Sequence, residues 1–571
     1  MAIEPLKMLA PTSPAVPHRD LPPVGPTVQI DPVRIAALTA SESARLDART
    51  QASGVAYARA EKTLVGGVPS SYQRRAPYPI YLERGLGQYI WDVDGHQYLD
   101  VHNGVGSMVQ GHAHPIITEA VERRMRLGTH FSAPTEDAYI VAELLAARWK
   151  LPRWRFVNSG SEATMDAIRI ARALTKRDGV MKIFGSYHGH HDYVMVDIGL
   201  NVYDMGDRED YPSIPYGKGI PDVVTQMTVA VPFNDAPALE RRLERLQAEG
   251  KLPACLIMEA ALMNCGVILP EPGYLAEVRR ITKKYGVVWI VDEVKTGLTV
   301  AAGGATELFG IQPDMVCLAK ALGAGLPTGA IGATDEVWAP VLSGEVYMVG
   351  TFNGNPLVMA AARANLERVM TPDAYAHLGR INARLLDGSQ GIIDRYRLAA
   401  YPAGIQSKGV ITFASTKVVD YESYKSAQQK ELIDLLWIWN MNRGIFGTPG
   451  RDEEWTLSIG MTDADVDHYL GVFEEFASEL TREFATSSSP LRCRRMRTSA
   501  SRSVSVNRRR RAASTAGTLL VGSPSRSISL SANSSIPTGS PQRPKDAARN
   551  QSRAKVTSLA PSVWSASASS G

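Results

Sequence analysis

The chain has 571 residues, of which 44% are hydrophobic and 21% charged, so it is long and apolar enough to bury a sizeable core. Its formal charge of +4 hides an asymmetry: residues 486–571 contain 15 Lys and Arg and one acidic residue, whereas the rest has 47 basic and 57 acidic residues. The four cysteines form no C-x-x-C pair, which argues against a disulfide framework and a zinc site, and no apolar run approaches the roughly 18 residues of a membrane helix.

The N-terminal region begins as an irregular segment. Residues 1–32 carry eight prolines and no periodic pattern, which predicts a flexible leader. The first residues lack the basic and apolar regions of a signal peptide, so we expect a cytoplasmic protein without membrane association. Further on, Asp94-Gly95 lies between strand-like segments and predicts a β-hairpin. His112 and His114 have a metal-site spacing, but no cysteine or other histidine is close in sequence, so we expect no metal.

A glycine turn leads from a short strand into a helix at Gly160. The predicted strand ends at Val157 and the helix begins near Ser161. Free N–H groups and the positive end of the helix dipole bind phosphate at such a turn, and glycine lets the backbone approach the anion closely. The pattern is also that of an ordinary helix N-cap, so alone it is a weak signal.

Two charged side chains stand where predicted buried strands end. The β-branched run 287–291 is followed by Asp292, and the run Met315–Ala319 is followed by Lys320 and a glycine-rich loop. Catalytic groups of open α/β sheets usually lie at such ends. A lysine amine and a carboxylate suit pyridoxal phosphate, because the amine forms a Schiff base with the cofactor and the carboxylate keeps its ring nitrogen protonated. A helix-capping aspartate and a solvated loop lysine would give the same two-residue pattern.

Several independent motifs together resemble the class III aminotransferases of pyridoxal-phosphate fold type I, and most of all the glutamate-1-semialdehyde aminomutases and their relatives. The similarity covers roughly residues 60 to 480. Its motifs are Asp292-Glu293-Val294-Lys295-Thr296-Gly297, Lys320-Ala321-Leu322-Gly323-Ala324-Gly325-Leu326-Pro327-Thr328-Gly329, Asn158-Ser159-Gly160-Ser161-Glu162-Ala163 and Gly350-Thr351-Phe352-Asn353-Gly354-Asn355-Pro356.

This resemblance implies an α/β fold: a large domain with a mostly parallel seven-stranded sheet and a small α+β domain. The expected large domain is 111–370 and the expected small domain is 371–485. Residues 33–110 would contribute to the small domain and to the contacts of a homodimer with shared active sites.

The resemblance also implies roles for cofactor-binding residues. Lys320 would hold pyridoxal 5'-phosphate and then act as the general base, and Asp292 would bind the ring nitrogen. Gly160 and Ser161 would bind the phosphate, and Thr351 would contact the phosphate of the other subunit's cofactor.

Four further residues would contact the cofactor ring or line the site. Tyr187 would stack on one ring face and Val294 on the other, while His188 would line the site. Asn264 would bond to the ring hydroxyl. The histidine-rich run that includes His190 and His191 suggests a metal, but the family has Tyr-His-Gly there, so we reject that interpretation.

The substrate residues match the aminomutases less well. Glu453 falls where these enzymes place a site glutamate, and Arg74 is adjacent to the position of their substrate arginine, which is Gln73 here. The histidine that follows that glutamate in the aminomutases is Met461 in this chain. Many class III transaminases carry a carboxylate-binding arginine where this chain has Ser407-Lys408-Gly409, which argues against a carboxylate clamp of the ornithine or aminobutyrate type.

Alternatives therefore stay open for the reaction. The leading expectation is amino-group transfer by an aminomutase-like enzyme, with a plain transaminase, an epimerase or a decarboxylase as alternatives. The Ser- and Arg-rich residues 486–571 predict a disordered basic tail, so a non-enzymatic alternative is nonspecific binding of nucleic acid by that tail.

Overall fold

Apolar runs of four or five residues form a central sheet in the computed structural model, which describes residues 25–450 and 454–482. The helices are α1 (Pro32–Arg49), α2 (Gln51–Ala60), α3 (Asn103–Gly106), α4 (Pro115–Leu127), α5 (Glu136–Trp149), α6 (Gly160–Thr175), α7 (Asp222–Thr225), α8 (Ala236–Ala248), α9 (Tyr274–Tyr285), α10 (Gly304–Leu308), α11 (Asp335–Leu342), α12 (Pro356–Ala364), α13 (Pro372–Tyr396), α14 (Tyr421–Ala427), α15 (Lys430–Asn442) and α16 (Asp463–Thr481). The strands are β1 (Leu82–Leu86), β2 (Tyr89–Asp92), β3 (Gln97–Asp100), β4 (Arg153–Val157), β5 (Val180–Ile183), β6 (Thr228–Val231), β7 (Cys255–Met258), β8 (Val288–Asp292), β9 (Met315–Ala319), β10 (Gly329–Ala333), β11 (Tyr401–Ile405), β12 (Lys408–Thr412), β13 (Ile445–Phe446) and β14 (Trp455–Thr456).

The central sheet has seven strands in the order β4-β10-β9-β8-β7-β5-β6. β10 runs antiparallel to β4 and β9, and every other neighbouring pair is parallel, so the predicted mostly parallel seven-stranded sheet is confirmed. All residues of β5, β7, β8, β9 and β10 are buried. Strands buried on both faces need apolar cover on both sides, which explains why their sequences are continuous apolar runs.

Two hydrophobic clusters cover the faces of this sheet. The smaller one includes the apolar faces of α6 and α11, with Ala163, Ile170 and Trp338 fully or almost fully buried. The larger one includes α5, α8 and α9 and continues into the C-terminal part of the chain. Because the faces are covered, the carboxyl ends of the parallel strands are the open edge at which a site can form.

Two smaller sheets flank the central one. β1, β2, β3 and β13 form a four-stranded sheet, in which the hairpin predicted at Asp94-Gly95 joins β2 to β3. β11, β12 and β14 form a three-stranded antiparallel sheet in the C-terminal part. The predicted domain boundary between residues 370 and 371 falls directly before α13.

The ends of the described chain limit what can be compared with the sequence. Of the predicted leader, residues 25–32 are described, and α1 begins at Pro32 and packs on α15. The predicted basic tail lies outside the described residues. Within residues 25–450 and 454–482, no helix combines the length and the apolar composition that crossing a membrane requires.

Candidate active site

The ends of β8 and β9 place Asp292 and Lys320 at one cavity. β8 and β9 are adjacent and parallel, so the residues at their carboxyl ends meet at the same edge of the sheet. The cavity there has a volume of about 390 Å³, a size typical of small-molecule sites. Eight of the residues predicted from the sequence line it: Gly160, Ser161, Tyr187, His188, Asn264, Asp292, Val294 and Lys320.

Asp292 is held in place by two hydrogen bonds. Its Oδ2 accepts from Nδ1 of His188 at 2.8 Å, and its Oδ1 accepts from the backbone N–H of Val294 at 2.9 Å. Nε2 of His188 lies 2.8 Å from the hydroxyl of Ser186, and burial lowers the pKa of His188. The hydrogen bond from the ring of His188 therefore fixes the orientation of the Asp292 carboxylate.

Lys320 has an unusual backbone conformation at the end of β9. Its φ is +48°, in the left-handed region that side-chain-bearing residues rarely adopt. It opens the short 3-10 turn Lys320–Gly323, and Thr328 and Pro327 of the following loop line the same cavity. Strained backbone of this kind persists where the surrounding structure holds it, and it is concentrated at functional sites.

The N-terminus of α6 forms a close-packed cradle at the other side of the cavity. Ser159 is the N-cap, and its hydroxyl accepts from the N–H of Glu162 at 3.1 Å. A Cβ added to Gly160 would lie 2.9 Å from Cγ2 of Val294, closer than real Cβ contacts allow. The Ser161 hydroxyl accepts from the N–H of His190 at 2.8 Å. The cradle thus offers the N–H groups of a helix start, and only glycine fits at its centre.

The loop that follows β5 carries the aromatic residue at the cavity. Tyr187 is 39% exposed and lines the cavity, whereas His188 beside it is buried. Gly189 has a φ of +107°, and a Cβ there would lie 2.7 Å from Cα of Ser161. The loop therefore packs directly on the first turn of α6, which brings Tyr187 next to the cradle.

Glu259 also lines the cavity, although the sequence alone indicates no role for it. Nδ2 of Asn264 donates to its Oε2 at 3.2 Å, and the side chain is 2% exposed. Burial, and after it the charge of Asp292, raises the pKa of Glu259 to about 8. At neutral pH this carboxyl group is therefore mainly protonated, although it lies in the same cavity as Asp292.

A buried Lys–Glu–Lys cluster joins the cavity to the C-terminal sheets. Nζ of Lys295 lies 3.0 Å from Oε2 of Glu454, and Nζ of Lys408 lies 2.8 Å from Oε1 of the same carboxylate. Lys408 also donates to the hydroxyl of Thr456 at 2.9 Å, and Lys295 donates to the carbonyl of Met263 at 2.6 Å. Burial would raise the pKa of Glu454, but the two ammonium groups outweigh it and hold that pKa well below its ordinary value.

Some predicted residues do not line the cavity. Arg74 is exposed, and it is not among the lining residues of the described chain. Thr351 is also exposed, on a turn that Asn353 links to the α6 region by accepting from Nδ2 of Asn158 at 3.0 Å. Glu453 lies outside the described residues, while its neighbour Glu454 is the buried centre of the cluster.

The residues present fit pyridoxal phosphate. The cradle at α6 suits an anion, Asp292 is a braced carboxylate, and Lys320 supplies an amine in the same cavity. Gly160 removes the side chain that would fill the space beside Val294. The donor set therefore matches a flat, phosphate-bearing cofactor.

Comparison with known proteins identifies the same chemistry. Residues 71–432 match the model of the family described as aminotransferase class-III. A "Glutamate-1-semialdehyde 2,1-aminomutase 2" from Geobacillus kaustophilus is 38% identical over 436 residues, covering 75% of this chain and 98% of the relative.

Two solved structures are also similar. An omega-transaminase from Sphaerobacter thermophilus has a TM-score of 0.70 and 32% identity, covering 75% of this chain and 98% of that one. A glutamate-1-semialdehyde aminomutase from Pseudomonas aeruginosa PAO1, solved in complex with PMP, has a TM-score of 0.73 and 28% identity, covering 79% and 100%. The fold and the cofactor are those predicted from the sequence. The chain therefore belongs to the class III aminotransferases, as an enzyme that transfers amino groups with pyridoxal phosphate.

Proposed function

We propose that this enzyme is a glutamate-1-semialdehyde 2,1-aminomutase, which moves an amino group between adjacent carbons of one substrate. The observation that carries the chemistry is the meeting of Lys320, Asp292 and the N-terminus of α6 at one cavity. The support for this substrate is the 38% identity to the Geobacillus kaustophilus aminomutase over 98% of its length.

We assign the main chemical roles to two residues. When bound, pyridoxal phosphate supplies an electron sink that stabilises negative charge on the carbon that bears the amino group. Lys320 holds the cofactor and then acts as the general base that removes and returns a proton at the substrate carbon that bears the amino group. Asp292, oriented by His188, keeps a positive charge on the ring nitrogen.

Other cavity residues bind and orient the cofactor in this proposal. Gly160 and Ser161 bind the phosphate through the start of α6. Tyr187 and Val294 pack against the two ring faces, and Asn264 reaches the ring hydroxyl. Their common position around one cavity supports this arrangement.

The proposed enzyme is a homodimer in which Thr351 completes the site of the other subunit. The turn that carries Thr351 also exposes apolar side chains: Tyr347 is 79% exposed, Val349 71% and Phe352 58%. Adjacent exposed apolar side chains of this size are typical of interfaces. Burying them against a second copy would bring Thr351 to that copy's cavity.

A plain transaminase is the second candidate, and specific observations favour it. Met461 replaces the histidine of the aminomutases and is buried, with 2% of its surface exposed. Arg74, the predicted substrate arginine, is not among the residues that line the cavity in the described chain. An enzyme with these differences would accept another amino compound and release a keto product.

The test converts the enzyme to its pyridoxamine-phosphate form and offers glutamate-1-semialdehyde beside a panel of keto acids and aldehydes. We expect 5-aminolevulinate to form without an added amino acceptor, measured by chromatography. Lys320→Ala should form none, while Lys284→Ala, which removes a half-exposed lysine of α9, should match the unmodified enzyme. Fast amination of an unrelated carbonyl compound, with no 5-aminolevulinate, would favour the transaminase and reject the aminomutase.

A further inference from the structure

Lys295 lies in the cavity but has no role in the assignments above. It follows Val294 in the turn after β8, and it lines the same cavity as Lys320, Asp292 and Asn264. Its side chain is only 4% exposed. Lysines this deeply buried are rare unless they are paired, and buried charged residues beside a reaction centre are often functional.

The surroundings of Lys295 provide a carboxylate partner for its ammonium group. Glu454 lies 3.0 Å from its Nζ, and the carbonyl of Met263 accepts from it at 2.6 Å. Burial would raise the pKa of Glu454, but the two lysines outweigh it and keep the carboxylate ionised at neutral pH. The ammonium group of Lys295 thus has an opposite charge within ion-pair distance.

The two lysines of the cluster differ in their access to a ligand. Lys408 is fully buried, donates to Glu454 and Thr456, and is not among the cavity-lining residues of the described chain. Lys295 is a lining residue. Of these two ammonium groups, Lys295 is the one that a molecule in the cavity can contact.

The cavity also permits an anion near Lys295. Two carboxyl groups, Asp292 and Glu259, line it in the described chain. Asp292 is engaged by His188 and by the N–H of Val294. Burial, and after it the charge of Asp292, raises the pKa of Glu259 to about 8, which favours its neutral form and weakens its repulsion of an incoming carboxylate. Lys320 binds the cofactor in the proposed function, and Lys295 is the second lysine that lines the described cavity and can contact the substrate.

We propose that Lys295 is a specificity-determining residue whose ammonium binds the carboxylate of the amino substrate. The inference rests on the proposed function, because it needs an amino substrate in this cavity. It restricts the substrate class to amino compounds that also carry a carboxylate, as opposed to simple amines. Glu454 is then a positioning residue, which holds the side chain of Lys295 at the edge of the cavity by an ion pair of 3.0 Å. A charge-assisted hydrogen bond in a desolvated site is stronger than one in water, which makes such a contact discriminating.

The test compares pairs of probes that differ only in the carboxylate, using the cofactor-loaded enzyme. The unreactive pair is 3-phenylpropanoate and 3-phenylpropanol, whose dissociation constants are measured by calorimetry. The reactive pair is 3-amino-3-phenylpropanoate and 1-phenylethylamine, supplied with a keto acid as the amino acceptor, and kcat and KM are measured separately for each. Lys295→Met removes the charge at similar length, Lys295→Arg keeps it, and Lys284→Met repeats the first substitution at a half-exposed lysine.

We expect the unmodified enzyme to prefer the carboxylate of each pair. Lys295→Met should lose roughly 10- to 100-fold of affinity for 3-phenylpropanoate, the range for a hydrogen bond to a charged group, and should bind 3-phenylpropanol unchanged. Its KM for the amino acid should rise by a similar factor while kcat changes little. Lys295→Arg and Lys284→Met should keep the preference.

Three results would overturn the proposal. One is an unmodified enzyme that does not prefer the carboxylate, and this outcome decides the matter even if Lys295→Met fails to fold. The second is an equal loss of both probes in Lys295→Met, which would mean a distorted cavity. The third is an unchanged preference in that variant. In each case, formation of 5-aminolevulinate from glutamate-1-semialdehyde and the visible absorbance of the bound cofactor in the unmodified enzyme still report on the proposed function separately.

Discussion

At the scale of single residues, the cavity gives two neighbouring carboxyl groups different hydrogen-bond partners. Asp292 accepts hydrogen bonds from His188 and from the backbone of Val294, whereas Glu259 is buried with Asn264 as its hydrogen-bond donor. Burial, and after it the charge of Asp292, raises the pKa of Glu259 and favours its neutral form. Asp292 is the carboxyl group that His188 and the backbone orient, as a partner of a ring nitrogen requires.

The raised pKa of Glu259 predicts a specific loss of stability as the pH rises from 4.5 to about 8. The folded pKa is about 8 and the ordinary value 4.5, so stability from this group is fully present below 4.5 and lost as pH rises through 8. In the cofactor-free protein, Glu259→Gln should reduce the fall in unfolding free energy between pH 5 and 9 by roughly 2–5 kcal/mol, from about 1.36 kcal/mol per pKa unit. Denaturant titrations at several pH values measure it. Glu119→Gln, at an exposed position of α4, is the control, and equal slopes for both variants would refute the prediction.

The residue scale is also where the sequence was least informative. Asp292 and Lys320 were predicted from strand ends and from motif, and the structure brings both to the cavity. The sequence did not identify Glu454, because only the folded chain shows that its carboxylate contacts two lysines. Glu453 lies outside the described residues, so its proposed role stays a prediction. Lys295 belongs to a sequence motif, but the motif indicates no role for it, because the sequence alone does not distinguish a buried lysine from a solvated one.

At the scale of elements, the start of α6 depends on the absence of a side chain. Gly160 sits where a Cβ would press on Val294, in the cradle proposed for the phosphate. The strand, the turn and the helix were all predictable here, because a strand followed by a glycine turn and an amphipathic helix is a local pattern. The partner of the glycine was not, since Val294 lies more than a hundred residues away.

Gly160→Ala should weaken cofactor binding with little effect on folding. The added methyl group crowds Val294 at 2.9 Å and displaces the helix start from the phosphate. We expect at least a tenfold higher dissociation constant for pyridoxal phosphate, measured by titration of the cofactor-free enzyme. Gly391→Ala is the matched control, because a Cβ there meets no heavy atom within 4 Å in the interior of α13. That control should bind the cofactor normally and gain about 0.5–1 kcal/mol of stability. Normal binding by Gly160→Ala would show that the cradle does not hold the phosphate.

At the scale of the whole molecule, short apolar runs indicated buried strands of a parallel sheet. The seven-stranded α/β fold itself was predicted from the resemblance to the class III aminotransferases, and the structure confirms the sheet. The antiparallel placement of β10 between β4 and β9 was not evident, because strand order depends on contacts between distant segments. The proposed dimer belongs to this scale as well, since Thr351 is exposed in the single chain.

A subunit-mixing experiment tests the shared site. As pure proteins, Lys320→Ala should be inactive and Thr351→Ala weakly active, because every site lacks one of the two groups. In an equal mixture after subunit exchange, half of the dimers are hybrids with one intact site, so activity should rise to about a quarter of the unmodified level. A mixture of Lys320→Ala with the double variant Lys320→Ala/Thr351→Ala should stay inactive. Activity in the first mixture no higher than the mean of the two pure variants, or a fully active monomer in sedimentation, would contradict the proposal.

The buried Lys295–Glu454–Lys408 cluster has a consequence for the motions of the protein. It ties the turn after β8 to β12 and to the residue before β14, three segments far apart in sequence. Opening the three-stranded sheet would expose Glu454 and separate it from both lysines, which costs far more than breaking a surface ion pair. The amides of β12 and β14 will therefore exchange with solvent deuterium only in rare openings that also disrupt the catalytic cavity, so the exchange protection of this distant sheet reports on the integrity of the site.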